Sequence, residues 1–444
     1  MGSAMDFSSL SVSQPETANY RWRSSFRAAR FRGIRSESKR FDVVIAGAGI
    51  IGLTIARRFL LGSNLSVAVV DSAVPCAGAT GAGQGYIWRV HKSPENEKWE
   101  LALRSHQLWE DLASTVQNQG LDPSSTLGWM KTGSLLVGST SEDCSVLQEK
   151  VQKLRDSGVD AKFLSHDDLL VEEPALELNE EGGAAFVPDD CQIDAKRAVA
   201  FIEKENRACD RYAEFYHDPV INLLRSESSG DVEGVQTSKN RLLCNKAVVV
   251  ATGSWSGSLI HGLLKDFPIE LDIPIMPRKG HLLVLGNIID SFKLNHGLME
   301  LGYGTHESAI VKSGDASVSM TATMDSSGRV VLCGGRVPRQ LVGFNTEVEE
   351  SIIRRIWNRA AEFFPAMRRY SLTDLIRSRE VRVGLRPYIA SGKPVISPVP
   401  GLRKMFIAAG HEGEGLSMSW GTAEMVFDMI LENSLKVNPS PFSL

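Results

Sequence analysis

The run Phe41-Asp42-Val43-Val44-Ile45-Ala46-Gly47-Ala48-Gly49-Ile50-Ile51-Gly52 constrains this chain more than any other segment, because it reads as a buried strand running directly into a Gly-x-Gly-x-x-Gly turn. The apolar residues ahead of Gly47 suit a parallel strand covered on both faces, and Ile50, Ile51, Leu53, Ile55, Ala56, Phe59 and Leu60 suit a helix straight after it. Each glycine has a physical task. Gly47 permits the tight turn, Gly49 lets backbone approach a pyrophosphate, and Gly52 lets the helix pack closely on the strand, while the helix N-terminus turns N–H groups towards phosphate. A second strand over 65–70 ends at Asp71, nineteen residues past Gly52, where a carboxylate can accept both ribose hydroxyls. Strand, turn, helix, strand and acid in this order predict a bound dinucleotide. An acid at that strand end, in place of a base, favours FAD or NAD over NADP.

The chain has 444 residues, enough for two compact lobes, each with its own core. Its net charge of −4 is uneven, since residues 1–40 carry eight Lys or Arg against three acids, which leaves the remainder at −9. Nothing in that distribution suggests a nucleic-acid surface. The six cysteines are scattered without a Cys-x-x-Cys pair, so no metal site or dithiol redox motif is expected. The longest apolar region, near 43–61, is broken by glycines and by Arg57 and Arg58, which excludes it as a membrane span. The first forty residues hold nine serines and arginines spaced among Trp22, Phe26 and Phe31, the composition of an organelle transit peptide. Serine richness points to the plastid ahead of the mitochondrion, with a simple disordered arm as the alternative.

Further segments extend the reading. A second glycine-rich loop, Ala77 through Gly85, can wrap a flat ligand. Residues 129–137 read as a strand entering a different sheet, and 273–364 is mostly strand with a helix over 349–364. A buried strand over 246–251 stops at Ala251-Thr252-Gly253, where a cofactor can pass. Another over 405–410 runs into Gly410-His411-Glu412-Gly413-Glu414-Gly415 and an apolar helix from Leu416 to Leu431.

Taken in order, the Gly47 turn, the Gly81 loop, Thr132-Gly133-Ser134, Glu173-Pro174-Ala175-Leu176, the stretch 185–194, Ala251-Thr252-Gly253, Pro277-Arg278-Lys279-Gly280-His281, Gly384-Leu385-Arg386-Pro387 and Gly410 to Gly415 resemble the FAD-dependent D-amino-acid oxidase superfamily, nearest to glycine and sarcosine oxidases. The resemblance spans about 41–434. It implies an α/β architecture in which a Rossmann-like FAD-binding lobe, a parallel sheet with helices, interleaves with an α+β substrate lobe on a mixed or antiparallel sheet. The expected division assigns 1–40 to the transit segment, 41–95, 184–265 and 385–434 to the FAD lobe, 96–183 and 266–384 to the substrate lobe, and 435–444 to a tail.

By the same resemblance FAD contacts Gly47, Gly49, Ile50, Ile51, Gly52, Asp71, Thr80, Gly81, Val220, Ala251, Thr252, Gly253, Gly410, His411, Gly413, Glu414, Gly415 and Leu416. Backbone N–H groups from Gly413 to Leu416 would face the flavin's pyrimidine end and stabilise the charge that builds there on reduction. Arg386 would clamp a substrate carboxylate, a task for which guanidinium geometry is suited. Tyr303 is the tyrosine best placed by order to assist it, and His281 is a further candidate for the chemistry. Sarcosine-oxidase-type attachment uses a cysteine near the substrate arginine; residues 386–394 hold none, so FAD is expected to be non-covalent. Where relatives carry Asp-Gly this chain has Ser391-Gly392, which bears on substrate identity.

The expected activity is oxidation of the C–N bond of a small amino or imino acid, of glycine, sarcosine or D-amino-acid type, by hydride transfer to flavin N5. Electrons would pass to O2 or another acceptor. The alternatives are oxidation of a 2-hydroxy acid on the same fold and a non-catalytic flavoprotein assembly role.

Overall fold

The computed structural model describes residues 38–265, 267, 271–286, 292–302, 319–334, 343–373 and 379–444. The valine-rich strand Ser38–Ala46 sits at the centre of one sheet, between Arg241–Val250 and Val67–Val70, and is parallel to both. The order across this sheet is Val395–Pro398, Met405–Ala409, Arg241–Val250, Ser38–Ala46, Val67–Val70, Tyr212–Phe215. Val43, Val44 and Ile45 are fully buried because helices cover one face of this sheet and the Val220–Arg225 and Val232–Thr237 hairpin with helix Ser256–Leu264 covers the other. The hairpin Val220–Arg225 and Val232–Thr237 adds antiparallel pairing to the Arg241 strand, as does Val395–Pro398 at the edge, so the sheet is mixed at its margins.

Helix Ile50–Gly62 follows the glycine turn and packs against Gly415–Leu431, the last long helix, and against Ala195–Arg207. Phe59 and Phe427 meet there with ring centroids 5.1 Å apart. The helix Gly415–Leu431 is buried almost all round, since Trp99–Asn118 lies along its other side.

The second sheet runs Arg379–Tyr388, Met276–Leu285, Val330–Gly334, Met320–Met324, Gly297–Glu300, Ser134–Gly138, Gly183–Val187, Lys162–Leu164. Its pairs are antiparallel except Gly297–Glu300 with Ser134–Gly138. Period-two alternation sorts its side chains. Leu283, Leu285, Leu332 and Ala322 pack on the amphipathic helix Glu350–Phe363, through Ile353, Ile356 and Ala360. Leu282, Val284, Val331 and Cys333 make a separate small cluster on the opposite face.

Several expected boundaries shift. Helix Trp99–Asn118, expected in the second lobe, packs through Leu101, Trp109 and Val116 into the core of the first, and Phe442 of the expected tail is buried there too. Residues 184–187, expected in the first lobe, belong to the strand Gly183–Val187, which pairs with strands on both sides in the second sheet. Residues 385–388 were also placed in the first lobe; they are the end of the Arg379–Tyr388 strand, in register with Met276–Leu285. A short apolar strand carries no mark of the sheet it joins, because pairing partners are set by contacts distant in sequence. Among the described residues no helix is long and apolar enough to cross a membrane.

Candidate cofactor and substrate site

The Gly47 turn is closed by backbone on every side. Gly47 has φ +117°, and a Cβ built there would lie 2.3 Å from the Ala251 carbonyl oxygen. At Gly52 a Cβ would lie 1.9 Å from the Gly47 oxygen. Gly49 precedes the helix without a side-chain cap, which leaves its first N–H groups facing the strand ends. One is taken internally, since the Ile50 N–H donates to Thr80 Oγ1 at 3.2 Å and draws the second glycine loop over the helix N-terminus.

Asp71 holds the other side of the turn. Its carboxylate accepts from the Ala48 N–H at 2.7 Å and from the Ala73 N–H at 2.8 Å. Each oxygen keeps a further lone pair, so the same group can brace the turn and accept a ribose hydroxyl. The Asp218 N–H donates to the Asp71 carbonyl at 2.9 Å, which brings Val220, two residues on, to this end of the sheet. Ala251 is fastened by its N–H to the Ala46 carbonyl at 2.7 Å, and Gly253 follows with φ +57°. All these positions gather at the carboxyl ends of the parallel strands, where open α/β sheets take ligands.

The loop 410–416 is anchored by side chains from several elements. His411 is buried with Nε2 2.9 Å from the Thr422 hydroxyl, and burial pulls its pKa down to about 4, so the ring is a neutral packing group. The Tyr86 hydroxyl donates to the Gly413 carbonyl at 3.2 Å, and Trp109 Nε1 donates to the Leu416 carbonyl at 2.9 Å. Glu414 pairs with Lys92 and Lys98. Burial opposes its ionisation, but the two ammoniums and the His91 ring more than offset that and hold the carboxyl well below its usual range. The Glu414 side chain thus points into protein, while its N–H donates to the His411 carbonyl at 2.9 Å and its carbonyl accepts from Ser417 Oγ at 3.0 Å, which fixes the loop.

Arg386 stands on the sheet face opposite helix Glu350–Phe363. Its strand neighbour Gly384 would carry a Cβ 2.8 Å from the Ala82 Cβ, so the second glycine loop lies directly on the strand. Gly280, the register partner of Gly384, leaves room for the guanidinium, whose Nε is 3.1 Å from where a Cβ would sit. Arg386 Nη2 is 3.3 Å from Cys333 Sγ. Gln84, from the glycine loop, reaches the same face: its Nε2 donates to the Val331 carbonyl at 3.0 Å, and its Oε1 accepts from Thr321 Oγ1 at 2.7 Å.

His281 does not join this group. Odd-numbered residues of Met276–Leu285 face helix Glu350–Phe363, and the His281 Nε2 accepts the Glu349 N–H at 3.1 Å on that side. Burial lowers its pKa. Strand alternation places it on the face away from Arg386, which its position in the sequence alone does not reveal. Tyr303 lies outside the described residues. Gln84, Tyr86, Lys92, Lys98 and Cys333 were not singled out beforehand; Gln84 had a usable signal, as the one long side chain within the glycine loop.

A ligand-atom cluster of His106, Glu110 and Cys191, mutually within 4.8 Å, contrasts with the expectation of no metal site. The Lys131 ammonium lies 3.7 Å from Glu110, and burial pushes the Cys191 thiol upward, so the charge there disfavours a cation.

The cradle fits an FAD: glycines whose Cβ atoms would collide with the turn, an acid at the second strand end, and a helix start open to phosphate. The family model described as DAO, FAD dependent oxidoreductase, matches residues 42–429. The chain belongs to this FAD-dependent family. It is 26% identical over 411 residues to a glycine oxidase of Geobacillus kaustophilus, covering 91% of this chain and 97% of the relative. A D-amino acid dehydrogenase of Vibrio cholerae is 24% identical over 448 residues, covering 88% and 94%. In fold, the crystal structure of the Geobacillus glycine oxidase superposes with a TM-score of 0.74 at 22% identity, covering 92% of this chain and 99% of that one. The L-proline dehydrogenase of P. horikoshii gives 0.75 at 20% identity, covering 92% and 97%. These relatives share the α/β fold with its FAD-binding lobe, and FAD is the family's cofactor.

Proposed function

We propose that this flavoenzyme oxidises the C–N bond of a small amino or imino acid of glycine, sarcosine or D-amino-acid type. One observation carries the reading: Arg386 rises from the sheet face on which the cofactor loop rests, with Gly280 and Gly384 clearing space around it. A guanidinium there can hold a substrate carboxylate through two parallel hydrogen bonds and fix the adjacent carbon. FAD, when bound, supplies the two-electron acceptor for that carbon's C–H bond. The protein contributes orientation and charge. N–H groups of Gly413 to Leu416, at the start of helix Gly415–Leu431, favour negative charge beside them. An amine that binds neutral needs no protein base, because its own lone pair assists departure of the α-hydrogen; a hydroxy acid does need one, and His281 faces the other way. Among the described residues this favours the amine. The names of the glycine oxidase and D-amino acid dehydrogenase relatives support the same class.

The test is anaerobic absorbance of the purified holoprotein with glycine, sarcosine, D-amino acids, cyclic imino acids and 2-hydroxy acids. Bleaching by an amino or imino acid is the expected result; bleaching by hydroxy acids alone, or by none, overturns it. Oxygen uptake by the reduced protein then decides between O2 and another acceptor. The Arg- and Ser-rich residues 1–40 support plastid import as a further proposal, with mitochondrial import as the competing result when a fusion of that segment to a fluorescent protein is localised.

A further inference from the structure

Arg278 and Arg386 are direct cross-strand partners in the pairing of Met276–Leu285 with Arg379–Tyr388, so both side chains rise from the same sheet face. Two cations opposite each other repel unless each is compensated. Cys333 Sγ, 3.3 Å from Nη2, is among the contacts of Arg386. Arg278 receives a full carboxylate, with Nη1 paired to Glu412 Oε1, while its guanidinium lies 3.7 Å over the Tyr388 ring.

Glu412 delivers that carboxylate from the cofactor loop, and from a backbone that does not favour it. Its φ is +49°, a left-handed conformation that glycine adopts freely and a glutamate adopts against steric resistance. Gly413 follows immediately, so glycine is chemically compatible with this loop. Strain kept at a functional loop implies that the side chain has a use there. Its visible use is the ion pair with Arg278, in which the side chains are 13% and 28% exposed, largely withdrawn from screening water.

We infer that Glu412 is a resident carboxylate that occupies Arg278 and thereby restricts the site to substrates bearing one carboxylate. This rests on the reading of Arg386 as the substrate's carboxylate partner. The pair of strands offers two guanidinium groups, enough for a dicarboxylic amino acid. Glu412 closes the second. A substrate with a second acid group would have to displace an intramolecular partner and would meet the negative charge of Glu412 on approach. Arg278 and Glu412 therefore set specificity without touching the reacting atoms.

The experiment titrates the holoenzyme with acetate and with malonate, two carboxylates that cannot be oxidised at an amine, and follows the flavin absorbance change to obtain each Kd. Wild type is expected to bind acetate at least as tightly as malonate. In Glu412→Gln the preference for malonate over acetate rises at least about tenfold, the worth of one new charge-assisted pair. Glu412→Gly gives the same shift and relaxes the loop, which covers the case in which the glutamine variant loses FAD. Adding Arg278→Met to either variant cancels the gain. Acetate binding that persists in both variants with the ratio within about twofold of wild type overturns the inference and leaves the Arg386 reading intact. Failure of both carboxylates to perturb the flavin in wild type and variants alike overturns the Arg386 reading, and the inference with it.

Discussion

The Gly47 turn and the Met276–Arg379 strand pair face the same ligand space and are built on opposite principles. The turn is a backbone object: Ala46, Gly47, Ala48, Gly52 and Ala251 approach so closely that no side chain can enter, and Asp71 clips it with main-chain hydrogen bonds. The strand pair is a side-chain object. Arg386, Arg278, Gly280 and Gly384 matter only because register and alternation put them on one face; a one-residue slip would turn them all towards helix Glu350–Phe363. The first region tolerates almost no change of shape, whereas the second can trade side chains and so adjust what it binds.

That contrast can be broken by substitution at the glycines. Gly52→Val forces carbon into the Gly47 carbonyl, which has no flexible end to move, and should cost more than about 4 kcal/mol and abolish FAD retention, measured by melting and flavin content. Gly280→Ala first meets the movable Arg386 guanidinium and should cost about 1 kcal/mol or less, with weaker carboxylate binding. Equal damage at the two sites would erase the distinction between them.

Arg386→Lys sharpens it next. A point charge replaces a two-pronged clamp, so carboxylate affinity should fall about a hundredfold with the melting temperature nearly unchanged. An unchanged KM would remove Arg386 from the substrate site.

Acid acts on the cofactor side. His411, with a folded pKa of about 4 against an ordinary 6.5, binds its proton more readily when unfolded, so its contribution to stability is lost as the pH falls from 6.5 towards 4. Between pH 6.5 and 5 that amounts to about 2 kcal/mol, and His411→Gln should flatten the slope in denaturant titrations over this range. Glu414 acts in a lower window: its depressed carboxyl stabilises the fold above the ordinary carboxylate pKa and loses that effect as the pH drops through its folded value. The smallest effect belongs to His281→Gln. On the far face of the strand, it should shift carboxylate affinity by no more than about threefold.

What could be read from the chain in advance follows locality. Gly47, Gly49, Gly52 and Asp71 were recognisable because the turn is made by twelve consecutive residues and one strand end, and each residue type is required by contacts within that stretch. Arg386 was recognisable from its four-residue context and its order among the other motifs. The strands over 43–46, 246–250 and 405–409 were recognisable as continuous apolar runs, which burial on both faces demands.

Tertiary structure decided the rest. Whether Gly183–Val187 joins the first sheet or the second depends on partners at 134–138 and 162–164, and an apolar pentapeptide suits either. The far-face position of His281 depends on which side of its strand helix Glu350–Phe363 covers, which alternation alone leaves open. Glu414 meets lysines 322 and 316 residues away, and Glu412 meets Arg278 across 134. Local steric demands act between neighbours in the chain and so leave their mark in its order, whereas charge pairing and face selection act between surfaces that only the finished packing brings together.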